Sequence, residues 1–173
     1  MNGLENKEEL YRRYMQECIE IGAKKGNSNY RDGCIIFDRA GVKISEGWRH
    51  VDGWIDMHAE RHAIQRASEG IRGGILVTTS EPCTSRRYAD KNKVRKLFKS
   101  CCDLIIENGI KLVIKPNYKL YGSKSSLEER GMEVIYLNDF ESVIKYELRG
   151  WICGSTYDII KIRKSKNRCT TTL

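Results

Sequence analysis

The sequence predicts an α/β fold of three layers, with helices on both faces of a mixed sheet. Two observations predict it: an opening pair of apolar segments around a short polar turn, and then a regular alternation of β-branched and amphipathic segments. A length of 173 residues is enough to bury one full core, so one main domain without repeats is expected.

Residues 6–25 carry Leu10, Tyr14, Cys18, Ile21 and Ala23 near helical spacing. Glu8 and Glu9 come early and Lys24 and Lys25 late, the order a helix dipole favours, and Gly26 ends the run. Residues 27–32 are a polar loop. Residues 33–37 and 42–48 flank Asp38-Arg39-Ala40-Gly41 and predict an antiparallel hairpin. After a loop over 48–57, a helix from His58 places Ala59, Ala63, Ile64 and Ala67 on one stripe, puts His58 and His62 one turn apart on a common face, and stops at Gly70.

The run 75–78 is short and apolar to β-branched, as a central strand requires. A helix from Cys101 to Gly109, a strand over 110–114, a short helix over 125–130 and a strand over 132–137 complete the alternation. A helix over 139–151 follows. Lys161-Ile162-Arg163-Lys164-Ser165-Lys166-Asn167-Arg168 is a basic tail, expected to be solvated or to add phosphate affinity.

With 31 basic and 23 acidic side chains the net charge is +8, which favours an anionic partner: a phosphorylated metabolite, RNA or DNA. Seven cysteines are an odd number, and the chain opens Met1-Asn2-Gly3-Leu4-Glu5 without an apolar leader. Reduced thiols and a cytoplasmic location are the expectation. No uncharged apolar stretch is long enough to suggest a membrane partner.

The chemistry concentrates in His58-Ala59-Glu60, in Glu81-Pro82-Cys83 after the 75–78 run, and in Ser100-Cys101-Cys102-Asp103. One imidazole and two thiolates are the donors of a zinc site whose fourth corner stays open to water, and a nearby carboxylate is the proton carrier such a water needs. H-x-E…P-C…C in this order points to a zinc-dependent hydrolytic deaminase. In that reading His58 and Cys83 are ligands, Glu60 moves protons, and one thiol of the Cys101-Cys102 pair completes the site. The other packs as a small hydrophobe. His62 as a ligand would leave the thiols unexplained, so it is assigned to substrate contact or to a structural hydrogen bond.

The stretch 84–100 between the thiols carries Arg86, Arg87, Lys91, Lys93, Arg95, Lys96 and Lys99 against one acid, Asp90. Tied to the site at both ends, it is expected to emerge as a loop beside the pocket. Arg86 and Arg87, nearest Cys83, are the candidates for holding a substrate phosphate. The distal lysines are expected to be solvated.

His58-Ala59-Glu60-Arg61-His62-Ala63-Ile64, Cys101-Cys102-Asp103-Leu104-Ile105-Ile106 with Gly109-Ile110, Pro116-Asn117, and Arg130-Gly131-Met132-Glu133-Val134 resemble motifs of the cytidine-deaminase superfamily. Among its branches they are most similar to the pyrimidine deaminase of riboflavin biosynthesis. The likeness runs from about Tyr11 to Leu137. It implies a mixed five-stranded sheet with flanking helices, Zn2+ as cofactor, Cys101 as the third ligand, and commonly a homo-oligomer. Asn29, before Gly33-Cys34, matches the asparagine of the branch's N-P-x-V-G-C and is implied in binding the sugar. The stretch 84–100 departs from the bacterial pattern, and no reductase domain follows, so only the deamination step is expected here. On this basis residues 1–150 are expected to form the zinc deaminase domain and 151–173 a C-terminal extension.

Three readings remain open at this point. The first is a deaminase of a small phosphorylated pyrimidine, either a riboflavin-pathway diaminopyrimidine phosphate or a pyrimidine nucleotide. The second is a deaminase of bases in RNA or DNA, which the charge suits but the scattered aromatics Trp48, Trp54, Tyr88 and Phe98 do not. The third is a non-catalytic zinc-stabilised module, which would not require Glu60.

Overall fold

The computed structural model describes residues 6–26, 31–49, 51, 57–85, 87–91, 94–117 and 126–140, and within 87–91 and 94–96 the backbone alone. Asn29, Arg86, the run 141–151 and the basic tail lie outside the described residues.

Helix α1 (Lys7–Lys25) starts at Asn6, whose side chain accepts the Glu8 N–H at 3.2 Å. It buries Tyr14, Met15, Cys18, Ile19, Ile21 and Gly22. Strands β1 (Gly33–Phe37) and β2 (Lys43–Trp48) pair antiparallel, as the hairpin pattern predicts. Helix α2 (Ala59–Arg66) ends earlier than expected, because the Ala67 N–H closes on both Ala63 O and Ile64 O well before Gly70. Strand β3 (Ile75–Thr78) follows, then β4 (Arg87–Lys91), β5 (Val94–Phe98), α3 (Cys101–Glu107), β6 (Leu112–Pro116), α4 (Ser126–Glu129), β7 (Glu133–Leu137) and a 3-10 turn (Asn138–Phe140). Strand β6 sits two residues later than the apolar run suggests: the Lys111 N–H bonds Gly74 O, and sheet pairing begins at Leu112, opposite Ile75.

The main sheet has five strands in the order β2-β1-β3-β6-β7. β1 is antiparallel to both neighbours, whereas β3, β6 and β7 run parallel, so the sheet is mixed. Side chains alternate across it. Ile35, Phe37, Val77, Leu112 and Ile114 pack on α1, while Cys34, Ile36, Leu76 and Val113 pack on the side of α2, α3 and α4 with Ala59, Ala63, Cys102, Ile105 and Leu127. Helices on both faces give the expected three layers. Among the described residues no helix is long and apolar enough to cross a membrane.

A further expectation that fails concerns the stretch between the thiols. It is not an irregular loop: β4 and β5 form an antiparallel two-stranded sheet, pairing Arg87 with Phe98 and Tyr88 with Leu97. Pairing satisfies the backbone groups of a segment that lies outside the main sheet. The segment has no apolar–polar alternation to mark it as strand.

The contact of β2 with α2 sets the depth of the helix that carries Glu60. A Cβ on Gly47 would stand 2.2 Å from Ala59 O and 2.4 Å from Ala63 N, and the Ser45 hydroxyl donates to Ala63 O at 2.6 Å. Gly47→Ala is therefore expected to destabilise by about 3 kcal/mol, since backbone must move to admit it. Chemical denaturation measures this, and a loss under about 0.5 kcal/mol would contradict it.

On the outer side of β2, Glu46 pairs with Lys25 and with Lys43, the latter at 2.8 Å. Burial raises the Glu46 carboxyl, but the hydrogen bonds from the two lysines outweigh it and bring the group from 4.5 to about 2. A depressed folded value stabilises above the unfolded one and is lost as the pH falls from 4.5 toward 2. The full linkage of ~3 kcal/mol is discounted to about 1 because both lysines are partly exposed. Glu46→Gln should cost this much at neutral pH and remove that part of the acid limb, followed by circular dichroism.

Candidate active site

His58 is the residue before α2, in extended conformation with φ −79 and ψ 147, and its side chain does not cap the helix. That frees the imidazole to face α3, where its Nδ1 lies 3.5 Å from Cys101 Sγ. Cys83 follows the end of β3 in a turn that is pinned at three points. Glu81 pairs with the buried Lys115, the Cys102 thiol donates to Pro82 O at 3.4 Å, and the Cys102 N–H donates to Cys83 O at 3.1 Å. Cys101 opens α3, whose first turn is capped by the Ser100 hydroxyl accepting the Asp103 N–H at 3.0 Å. Its own N–H donates to Cys83 Sγ at 3.2 Å. Cys102 points into the core with Ile105 and Val113, and its thiol is pushed up to about 12 by burial.

The ligating atoms of His58, Cys83 and Cys101 lie within 4.8 Å of one another. A tetrahedral zinc with ordinary bond lengths needs donor separations of about 3.5–3.8 Å, so the cluster fits the ion with a small contraction. The hydrogen bond from Cys101 holds the Cys83 thiol down at about 4, while that same contact and burial hold Cys101 well above its usual value. Three protein donors leave one corner open.

Glu60, on the first turn of α2, is 3% exposed and its Oε2 lies 3.6 Å from Cys101 Sγ. Burial raises its carboxyl above the ordinary range, although His58 opposes the shift. Its Oε1 accepts the Thr78 hydroxyl at 3.1 Å. A buried carboxylate beside three metal donors suits proton transfer to and from a reacting group.

The zinc-binding region of the cytidine and deoxycytidylate deaminases matches residues 8–115. The chain belongs to the cytidine and deoxycytidylate deaminase family. Within it, the relatives are those of the RibD branch. The chain is 33% identical over 132 residues to riboflavin biosynthesis protein RibD of Actinobacillus pleuropneumoniae, covering 70% of this chain and 31% of that one. It is 33% identical over 116 residues to the diaminohydroxyphosphoribosylamino-pyrimidine deaminase of Buchnera aphidicola subsp. Schizaphis graminum, covering 63% and 71%. Among solved structures, the deaminase/reductase of Thermotoga maritima superposes with a TM-score of 0.60 at 32% identity, covering 81% of this chain and 40% of that one. The cyanophage S-TIM5 dCMP deaminase, at 20% identity and a TM-score of 0.54 over 75% and 97% of the two chains, shares the fold. The chain thus spans 31% of the length of the Actinobacillus relative and 71% of the Buchnera one.

In this deaminase-family site the expected donors His58, Cys83 and Cys101 come together with Glu60. His62 stands one turn on from His58, its N–H donating to His58 O at 3.0 Å. It sits within α2 at 7% exposure, its Nδ1 accepts the Trp48 N–H at 3.2 Å, and its ring meets Trp48 edge-on at 4.5 Å. Arg87 is described only by its backbone, at the base of β4 opposite Phe98.

Two contributors were not singled out in the sequence. Arg61 is 1% exposed; its Nη2 donates to Lys99 O at 2.5 Å and its guanidinium lies 4.5 Å from the centre of the Phe98 ring. It ties the foot of the β4–β5 hairpin to α2. Thr78 looked like an ordinary strand residue, and nothing in its neighbours in sequence signals the contact with Glu60.

Proposed function

We propose that the protein is a zinc-dependent hydrolytic deaminase of a small phosphorylated pyrimidine-type ring, with His58, Cys83 and Cys101 as ligands and Glu60 as the proton carrier. The observation that carries this is the Glu60 carboxylate, buried and 3.6 Å from Cys101 Sγ beside the three-donor cluster. Zinc, when bound, makes a water acidic enough to act near neutral pH. Glu60 takes one proton of the attacking water and gives it to the ring nitrogen, then takes the second from the resulting hydroxyl and gives it to the leaving amine. Water adds to the amine-bearing carbon, the C–N bond breaks, and the products are a ring carbonyl and ammonia.

The names of the similar proteins support a diaminopyrimidine carrying a phosphoribosyl group as the substrate class, and a pyrimidine nucleotide is the neighbouring choice. Ammonia release from a panel of riboflavin-pathway diaminopyrimidine phosphate, dCMP, CMP, their dephosphorylated forms, and RNA and DNA oligonucleotides tests the reading. Turnover of the diaminopyrimidine phosphate above the others is the expected result. Turnover of oligonucleotides alone would move the assignment to nucleic acid, and silence throughout with zinc present would leave a binding module.

Arg86 and Arg87 are assigned to the substrate phosphate, with Asn29 and His62 toward the sugar and ring. A doubly substituted Arg86→Ala, Arg87→Ala variant should lose about 10-fold or more in kcat/KM on phosphorylated substrate and little on its dephosphorylated form. An unchanged preference would remove both arginines from the assignment.

A further inference from the structure

The α2-facing side of β3 is apolar except at one position. Leu76 packs there with Ile36, Ala59 and Ala63, and Thr78, two residues on and in register with Cys34, carries a hydroxyl into the same layer at 0% exposure. A buried hydroxyl costs stability unless it is hydrogen-bonded, so its partners decide what it is for. Thr78 Oγ1 accepts the Ser80 N–H at 3.3 Å, and its proton points to Glu60 Oε1 at 3.1 Å. An ionised carboxylate only accepts, so the direction of the second bond follows.

Ser80 is itself held. Its hydroxyl donates to the Asp32 carboxylate, which also receives Arg49 Nη1 at 3.3 Å. The Ser80 N–H therefore occupies one side of the Thr78 oxygen from a fixed position and leaves the hydroxyl proton directed at Glu60. The two carboxylate oxygens are thereby distinguished: Oε1 is moored to the sheet and Oε2 is presented on the Cys101 side, 3.6 Å from the sulfur.

We propose that Thr78 is a positioning residue for the reaction, anchoring Oε1 of Glu60 so that Oε2 is the oxygen presented for proton transfer. This rests on the functional reading above. Without the hydroxyl, Glu60 keeps its burial and its helix but loses the contact that selects one orientation about the last side-chain torsion, which is intrinsically broad.

Thr78→Val keeps the shape and removes the donor, and Thr78→Ser restores it. With zinc content and unfolding midpoint compared in parallel, Thr78→Val is expected to lower kcat by about 10-fold while KM stays within about twofold, because misplacing a catalytic group costs rate and not binding. Thr78→Ser is expected to regain most of the loss. Crystal structures of the zinc-loaded wild type and Thr78→Val give a reading independent of turnover, with Glu60 Oε2 turned away from Cys101 in the variant. Should Thr78→Val fail to fold, Thr78→Cys, a weaker donor of similar size, takes its place and should fall between Ser and wild type on one side and Val-like loss on the other. An unchanged kcat, a loss that Thr78→Ser does not repair, or an unmoved Glu60 carboxylate would overturn the role. A wild-type chain that releases ammonia from nothing in the panel would overturn the functional reading and this role with it; an active wild type beside an equally active variant overturns this role alone.

Discussion

Glu60→Gln is expected to retain stoichiometric zinc and to lose about 10²–10⁴-fold in kcat, the range that a positioned proton carrier supplies. Gln matches Glu in size, so the 3% exposed position stays filled, and its amide oxygen can still accept the Thr78 hydroxyl. What it cannot do is take a proton from water and give it to the ring. Burial, which lifts the Glu60 carboxyl above the ordinary range, fits it for both halves of that transfer. Metal content by mass spectrometry together with single-turnover ammonia release makes the measurement. A variant within about twofold of wild type would remove Glu60 from the chemistry, whatever the cluster beside it holds.

The second large effect separates two adjacent cysteines. Cys101→Ala should lose tightly held zinc and with it activity, and its unfolding midpoint should no longer respond to a chelator. When free zinc stands about 1,000-fold above the dissociation constant, the ion contributes about 4 kcal/mol to the folded state, and this is the stabilisation at stake. Cys102→Ala should keep the metal and most of the activity. Its thiol is directed to Pro82 O and the Ile105 core, so the expected cost is packing, about 1 kcal/mol. Zinc retained by Cys101→Ala and lost by Cys102→Ala would reverse the ligand assignment.

Donor chemistry explains why so much of the site was legible. A histidine two residues before a glutamate, a cysteine after a β-branched run and a cysteine pair before an apolar helix are residue types with few uses in combination, and their order limits the metal and the reaction. The Cys101-Cys102 choice was open on the residues alone and leaned on family resemblance. In the fold, Cys101 at the start of α3 meets Cys83 and His58, and Cys102 turns into the core, which supports Cys101. His62 is a case between. Spacing put it one turn from His58, as the bond from its N–H to His58 O has it, but only the fold shows its Nδ1 accepting the Trp48 N–H.

By itself the sequence determined the alternation that builds a three-layer α/β fold and singled out His58, Glu60, Cys83 and Cys101, because side-chain period and donor chemistry are local properties. Tertiary structure alone decided that the basic stretch is a hairpin footed on Arg61, which cysteine faces the metal donors, and that a strand threonine holds Glu60. Those are contacts between segments far apart in the chain, and no local pattern encodes a partner that only folding brings within hydrogen-bond distance.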